Sequence, residues 1–201
     1  METGVMYVAF GAKARAEARK SIASLRQHHD WPVLVVGETP LPEADFHRTW
    51  LNRGTPGRWA KVCLDQLTPW DRTLFLDADT RIHGDLSAGF RLLDAGYDLV
   101  MVASAPQHND ALRHLTPEER AVTLDEIPLD ALQLNTGVMW FDDGASDLFE
   151  LWREEWERWQ DKDQGALLRA LYRRPSAVAL LGWPYNDAAG EIVEHRFGAC
   201  A

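Results

Sequence analysis

Two apolar segments near the start of the chain, separated by a stretch of helix length, constrain the fold more than any other feature. Residues 4–10 (GVMYVAF) and residues 31–36 (WPVLVV) have the length and composition of buried strands. The stretch between them has four apolar residues at helical spacing: Ala14, Ala18, Ile22 and Leu25. This strand–helix–strand unit is the opening of an open α/β sheet, in which ligands bind beyond the carboxyl ends of the strands.

The composition predicts one domain and excludes some partners. The 201 residues are 46% hydrophobic, which is enough for one packed core and thin for two, so a single domain over residues 1–201 is expected. A net charge of −10 argues against a general nucleic-acid surface. No apolar stretch approaches the length of a transmembrane segment, and the N-terminus lacks the basic region of a secretory signal. A cytoplasmic location is expected, with Cys63 and Cys200 as free thiols.

Residues 74–80 (LFLDADT) place two carboxylates at the end of a further apolar run. In a strand, residues two apart point the same way, so Asp77 and Asp79 leave its end on one side. Two carboxylates this close repel unless a cation lies between them or one binds a proton, and hard oxygen ligands suit Mg²⁺ or Mn²⁺. The alternative is an acidic turn that closes the strand through local backbone hydrogen bonds. The D-x-D pattern alone does not decide between them.

A helix is predicted to begin at Thr55-Pro56, where a capping hydroxyl precedes proline at the first helical position. Lys61 lies off the apolar stripe of this helix, and periodicity alone makes it a solvated lysine near Asp65. The irregular residues 105–131 are interpreted as a functional loop or lid, with a capping box at residues 116–119. Further strands are predicted over residues 72–77, 98–103, 132–141, 178–181 and 192–194, and helices over residues 86–93, 146–159 and 161–172.

Two short clusters of polar residues lie within or at the start of these later elements. Asn135-Thr136-Gly137 lies inside a predicted strand, and such local inconsistencies are typical of functional sites, although a bulge that needs glycine is the alternative. At the start of the helix over residues 161–172, Asp161 can cap and Gln164 can complete a capping box. Asp163 would then complement the helix dipole.

Taken in order, the segments VAFGA, a lysine on a helix, FLDADT, LNTGVMWF, DQGAL and HRFG resemble the glycosyltransferases of GT-A fold. The most similar group is the glycogenin-like retaining group of glycosyltransferase family 8. The resemblance spans nearly the whole chain. It implies a single-domain α/β nucleotide-diphospho-sugar transferase fold with a mixed, mostly parallel sheet flanked by helices. It also implies hexosyl transfer from a nucleotide sugar, UDP-linked, to an unidentified hydroxyl acceptor, with retention.

The resemblance also assigns roles to residues. Asp77, Asp79 and His195 would bind Mn²⁺ (or Mg²⁺), and Lys61 would contact the donor diphosphate or sugar. Asn135, Asp163 and Gln164 are the expected catalytic residues; Asp163 is the one carboxylate nominated near the anomeric carbon. Residues 181–186 (LGWPYN) are similar to an L-P-x-x-W-N stretch with the proline displaced. Donor and metal contacts are expected from Ala9, Phe10, Gly11, Lys61, Asp77, Ala78, Asp79, Thr136 and Gly198.

Two alternative functions remain. D-x-D-x-T also fits the nucleophile motif of haloacid-dehalogenase-type phosphatases, with Ser104 and Asp142-Asp143 imitating their later motifs. Against this, two predicted strands precede the motif, and no lysine lies between Ser104 and Asp143. The second alternative is a non-catalytic nucleotide-binding protein of the same fold. It arises because the lysine that family members often carry after H-x-x-G is missing, with Arg196 as the substitute available.

Overall fold

The computed structural model describes residues 1–50, 56–103, 111–127 and 134–200. Its strands are β1 (Thr3–Val8), β2 (Val33–Gly37), β3 (Phe46–Thr49), β4 (Arg72–Asp77), β5 (Thr80–Ile82), β6 (Leu99–Ala103), β7 (Leu134–Asp142), β8 (Val178–Leu181) and β9 (Val193–His195). Its helices are α1 (Gly11–Leu25), α2 (Pro56–Val62), α3 (Leu64–Leu67), α4 (Ser87–Asp94), α5 (Pro117–Glu126), α6 (Ser146–Glu157) and α7 (Asp163–Arg173).

Seven strands form the main sheet, in the order β3-β2-β1-β4-β7-β6-β8. All neighbouring pairs are parallel except those of β7, which runs antiparallel to β4 and to β6. Val8 pairs with Asp77 and Leu76 pairs with Val138, so the carboxyl ends of β1 and β4 meet the amino end of β7 at one edge. The mixed, mostly parallel sheet flanked by helices is confirmed.

Alternate residues of the central strands face two separate core clusters. Along β1, Val5 and Tyr7 pack into the cluster that includes Ile22 of α1 and Phe90 of α4. Met6 faces the opposite cluster, which includes residues of α2, α3, α6 and α7, among them Phe149. The period of two along each strand therefore divides the helices between the two faces of the sheet.

A second, two-stranded sheet joins the chain's last strand to the segment after β4. β9 pairs antiparallel with β5, and Thr80 lies opposite His195. Cys63 and Cys200 are both free thiols. No helix within the described residues combines the length and the apolar character needed to cross a membrane.

Several predicted boundaries differ from the structure for local reasons. The helix predicted from Thr55 is described from Pro56 onward, and Thr55 lies outside the described residues. That helix is interrupted at Cys63, whose φ of −110° and ψ of 17° are not helical. Lys162, not Asp161, is the N-cap of α7, and the carboxylate of Asp161 instead accepts a hydrogen bond from Arg58. Within the predicted loop at residues 105–131, Thr116 caps α5 as expected, whereas residues 104–110 and 128–133 lie outside the description.

Candidate active site

A cavity of about 550 Å³ opens at the sheet edge where β1 and β4 end and β7 begins. α2 and the amino end of α7 form one wall, and the segment after β9 forms another. Eleven of the residues assigned from sequence line this cavity: Phe10, Lys61, Asp77, Ala78, Asp79, Asn135, Thr136, Asp163, Gln164, His195 and Gly198.

Ala9 and Gly11 do not line this cavity, unlike their neighbour Phe10. Ala9 is only 1% exposed because its side chain packs into the core cluster that contains Val5 and Tyr7. Gly11 begins α1 with a φ of +81°, a conformation that favours glycine, and its N–H donates to Glu38 Oε1 at 2.7 Å. Both residues therefore have a structural role, and contact of Ala9 and Gly11 with a ligand stays a prediction.

Asp77, Asp79 and His195 form a compact cluster. One ligand atom from each residue lies within 4.8 Å of the other two. His195 Nε2 is 3.2 Å from Asp79 Oδ1 and 3.8 Å from Asp77 Oδ2. β4 ends at Asp77, and the pairing of β5 with β9 brings His195 to the same place. Burial opposes ionisation of Asp79, but the hydrogen bond and charge of His195 outweigh it and lower its pKa.

The chemistry of this cluster fits a divalent cation. Two carboxylates offer hard oxygen ligands, and an imidazole offers a nitrogen ligand. Asp79 and His195 are 6% and 4% exposed, so they are held in place by their surroundings, while Asp77 is more open to the cavity. Three protein ligands leave coordination positions for oxygen atoms of a substrate.

Lys61 is a buried cation between two carboxylates. Its Nζ is 2.9 Å from Asp77 Oδ1 and 3.4 Å from Asp163 Oδ2, and the residue is 8% exposed. Burial alone would lower the pKa of Lys61, but Asp77 and Asp163 outweigh it and raise that pKa. Asp65, the partner expected from periodicity, pairs with Arg153 instead at 2.5 Å. The solvated alternative for Lys61 is thus wrong.

Asp163 is the first residue of α7 and faces the same cavity. Thr136 Oγ1 donates a hydrogen bond to its Oδ2 at 2.5 Å. Burial would raise the pKa of Asp163, yet Lys61 and Thr136 together lower it below the ordinary value. Asp163 is therefore held as a carboxylate, one residue before Gln164.

Gly137 explains the polar interruption in β7. A Cβ on this residue would lie 2.4 Å from His195 Cε1 and 2.8 Å from His195 Nδ1, which is closer than atoms can approach. The imidazole thus packs directly against the backbone of β7, and glycine is required for this close approach. The register between β6 and β7 also shifts between Val100 and Val102, opposite the part of β7 that contains Gly137, so the irregularity expected from a bulge is present as well. Asn135 Oδ1 accepts a hydrogen bond from Gly137 N at 2.8 Å.

The residues of the site that were not assigned from sequence include Asn186, Arg58 and Phe197. Asn186 Oδ1 lies 2.6 Å from His195 Nδ1, and its one signal in the sequence was the LGWPYN segment. Arg58 lines the cavity one helical turn before Lys61, whereas Arg196 does not line it and lies near Glu194 at 3.7 Å. Phe197 follows the metal-ligand candidate, and its ring centroid is 4.0 Å from that of His195.

The geometry disfavours a phosphatase. Asp142, offered as part of its late acidic motif, pairs with Arg72 at the start of β4, whereas Asp77 ends that strand. Five residues of strand separate the two positions, which corresponds to roughly 16 Å. Asp142 therefore lies at the opposite end of the sheet from the D-x-D carboxylates. Ser104 lies outside the described residues.

Comparison with solved structures decides the fold. Mouse xyloside xylosyltransferase 1 in its apo form matches with a TM-score of 0.67 and 14% identity, over 100% of this chain and 99% of that chain. The galactosyltransferase LgtC, in complex with donor and acceptor sugar analogues, matches with a TM-score of 0.62 and 13% identity, over 97% and 87%. This chain has a GT-A glycosyltransferase fold.

A third match places the GT-A domain in a longer chain. The apo structure of the bifunctional glycosyltransferase WbbM matches with a TM-score of 0.67 and 13% identity, over 98% of this chain and 46% of that chain. Neither the protein-family models nor the curated proteins contain a match. The candidate active site thus occupies the cleft of a GT-A fold whose sequence is distant from all three of these proteins.

Proposed function

We propose that the chain is a metal-dependent hexosyltransferase of the family 8 type. It would transfer a sugar from a nucleotide donor, UDP-linked, to a hydroxyl acceptor with retention of configuration. The observation that carries the proposal is the buried cluster of Asp77, Asp79 and His195 with Lys61 beside it, in the cleft of a GT-A fold. Retention and the UDP donor rest on the motifs shared with the glycogenin-like group.

The cations of the site suit the leaving group. Bound by Asp77, Asp79 and His195, Mn²⁺ or Mg²⁺ would supply Lewis-acid stabilisation for the negative charge that develops on the departing nucleoside diphosphate. Lys61, held by two carboxylates, offers a fixed positive charge that does not need to reorganise during the reaction. Arg58, one turn away, can leave its partly exposed pairing with Asp161 and contact the diphosphate.

The opposite side of the cavity suits the sugar. Asp163 is ionised, so it can stabilise the positive charge that develops at the anomeric carbon. Gln164 lines the cavity with an amide group that can donate and accept hydrogen bonds, as sugar hydroxyls require. Asn135 also lines the cavity, and because its Oδ1 already accepts two hydrogen bonds, its NH₂ group is the part left to donate. Phe10 offers an aromatic surface at the end of β1 for the nucleobase.

The test is a donor panel. The protein is incubated with UDP- and GDP-sugars and Mn²⁺, and release of nucleoside diphosphate is measured. Release from at least one donor is expected, and Asp79→Asn should lower it about 100-fold or more, because a lost metal ligand removes electrostatic stabilisation of the leaving group. Glu194→Gln, which alters a carboxylate near the cleft but outside the cluster, should retain activity and is the matched control.

Two results would contradict the proposal. Hydrolysis of an aryl phosphate without release from any donor would favour the phosphatase. Thermal stabilisation by UDP and Mn²⁺ without turnover, across the whole donor panel, would favour a non-catalytic nucleotide-binding protein.

A further inference from the structure

A continuous chain of hydrogen bonds links the backbone of β7 to the imidazole of His195. Gly137 N–H donates to Asn135 Oδ1 at 2.8 Å, and Asn186 Nδ2 donates to the same oxygen at 3.0 Å. Asn186 Oδ1 then lies 2.6 Å from His195 Nδ1. Asn186 and His195 are 2% and 4% exposed, so protein groups, not bulk water, satisfy these atoms.

The donor and the acceptor of every hydrogen bond in this series follow from its first member, the backbone N–H of Gly137. A backbone N–H can only donate, so the Asn135 atom that faces Gly137 must be the amide oxygen. An amide oxygen can only accept, so Asn186 must present its NH₂ group to it. The Oδ1 of Asn186 therefore faces His195, and Nδ1 of His195 must carry the proton that this oxygen accepts.

We infer that Asn186, oriented by Asn135, is a positioning residue that keeps a proton on Nδ1 of His195 and so reserves Nε2 for a divalent cation. Nε2 is the ring nitrogen that faces the carboxylates, at 3.2 Å from Asp79 Oδ1. Metal-binding histidines are commonly oriented in this way by a partner on the other ring nitrogen. The inference rests on the metal site of the proposed function, but it does not depend on sugar transfer.

The surroundings of His195 allow little other freedom. The Cε1 and Nδ1 atoms of the ring lie against Gly137, where even a Cβ would collide with them, and the Phe197 ring lies beside it, tilted by 31° at a centroid distance of 4.0 Å. A turned Asn186 amide would place two oxygen atoms, its own and that of Asn135, in contact without a proton between them. Packing thus sets where the ring lies, and the two asparagines set which nitrogen carries the proton.

The first test measures Mn²⁺ binding without any nucleotide, from loss of the electron paramagnetic resonance signal of free Mn²⁺. Asn186→Leu removes the acceptor at similar side-chain volume and is expected to weaken binding about 10- to 100-fold. Asn186→Asp retains an acceptor for Nδ1–H but places an oxygen against Asn135 Oδ1, so its Mn²⁺ affinity is expected to lie between those of the wild type and Asn186→Leu. Asp187→Ala is the control, because Asp187 is equally buried in the same turn and its side chain bonds to the backbone of Ala189.

The inference would be overturned if Asn186→Leu bound Mn²⁺ with wild-type affinity. It would also be overturned if Asp187→Ala bound Mn²⁺ as weakly as Asn186→Leu while the two variants had equal melting temperatures. The first result would mean that His195 needs no partner. The second result would mean that the turn only supports the position of His195, and that the hydrogen bond of Asn186 has no specific role in metal binding.

The second test reads the tautomer in the wild-type protein and so does not depend on any variant folding. Long-range ¹H–¹⁵N correlation spectra are recorded with saturating Mg²⁺, and His195 is assigned from the His195→Gln spectrum. A proton on Nδ1 is expected. A proton on Nε2 alone would overturn the inference.

The two proposals fail differently. If the donor panel shows no transfer while the tautomer and the Mn²⁺ affinities behave as expected, the proposed enzyme is wrong and the positioning role stands. If transfer occurs but Asn186→Leu binds Mn²⁺ normally, the proposed enzyme stands and the positioning role of Asn186 is wrong.

Discussion

At the scale of single residues, charge balance in the cleft depends on Lys61. Three carboxylates, those of Asp77, Asp79 and Asp163, lie around one lysine and one histidine. Lys61 is the buried cation that separates Asp77 from Asp163. Lys61 compensates negative charge on both sides and lowers the pKa of Asp163, so the cleft carries a fixed positive charge between two acidic side chains.

Lys61→Met is expected to lower the free energy of unfolding by about 2 kcal/mol, because two partly buried carboxylates lose their shared partner. The estimate is below that for a fully buried pair, since Asp77 is 29% exposed. Urea denaturation followed by tryptophan fluorescence measures the change.

Lys162→Met is the matched control. Lys162 lies 3.4 Å from Asp161, but both side chains are 34% exposed, so a change below about 0.5 kcal/mol is expected. Equal losses for the two variants would show that the position of Lys61 between Asp77 and Asp163 has no special role in stability.

At this scale, the sequence could predict the arrangement of residues that are close together along the chain, but not contacts between residues that are far apart in sequence. The D-x-D carboxylates share a strand, so their geometry follows from a period of two. The partner of Lys61 could not follow from helical periodicity, because Asp163 lies far away in the sequence and is brought in by α7. Asn186 was missed for the same reason: its role appears only when β9 places His195 beside it.

At the scale of elements, a buried ionic network joins α5, α6 and α7. Arg169 of α7 is fully buried and contacts Glu155 of α6 at 2.8 Å and Glu119 of α5 at 3.0 Å. Thr123 accepts a further hydrogen bond from Arg169 at 2.7 Å. Because Asp163 begins α7, this network fixes the helix that carries a residue of the cleft.

Glu119 makes the network sensitive to pH. Burial raises the pKa of Glu119 although Arg169 opposes it, and its Oε2 has no hydrogen-bond partner. A carboxyl whose folded pKa is raised binds its proton more tightly in the folded than in the unfolded protein, so its contribution to stability falls as pH rises above the ordinary value of 4.5. Glu119→Gln removes this titration, and its stability relative to the wild type is expected to increase as pH rises through the weakly acidic range.

Urea denaturation across that pH range measures the difference between the two proteins. Glu118→Gln, on an exposed position of the same helix, is the control and should change the pH profile little. A difference between Glu119→Gln and wild type that stays constant or decreases with rising pH would contradict the assigned direction of the pKa shift.

The elements themselves were largely predictable, while their mutual arrangement was not. β4 and β8 have the predicted bounds because their apolar runs end at charged or turn residues. The capping box at α5 was half right: Thr116 caps, but the Glu119 side chain points to Arg169. The antiparallel direction of β7 has no local signal, since direction depends on where the preceding connection crosses the sheet.

At the scale of the whole molecule, the two core clusters share one sheet. Ile22 packs on one face and Phe149 on the other, with the strands between them. If this arrangement behaves as the single domain expected from composition, both faces lose their packing in one cooperative transition.

Ile22→Val and Phe149→Leu should therefore each lower stability by about 1 kcal/mol, and the double variant should lose the sum within about 0.5 kcal/mol. Circular dichroism and tryptophan fluorescence should follow one transition in all three variants. Two separated transitions, or a variant that shifts only one probe, would show that the faces unfold independently.

The pairing of β5 with β9 also has a consequence for how the site is assembled. Asp77 and Asp79 leave the ribosome well before His195, which belongs to β9. A nascent chain therefore holds two carboxylates without their nitrogen partner until β9 docks on β5. A cation that later joins all three would connect segments distant in the sequence, and would oppose unfolding as a reversible cross-link does.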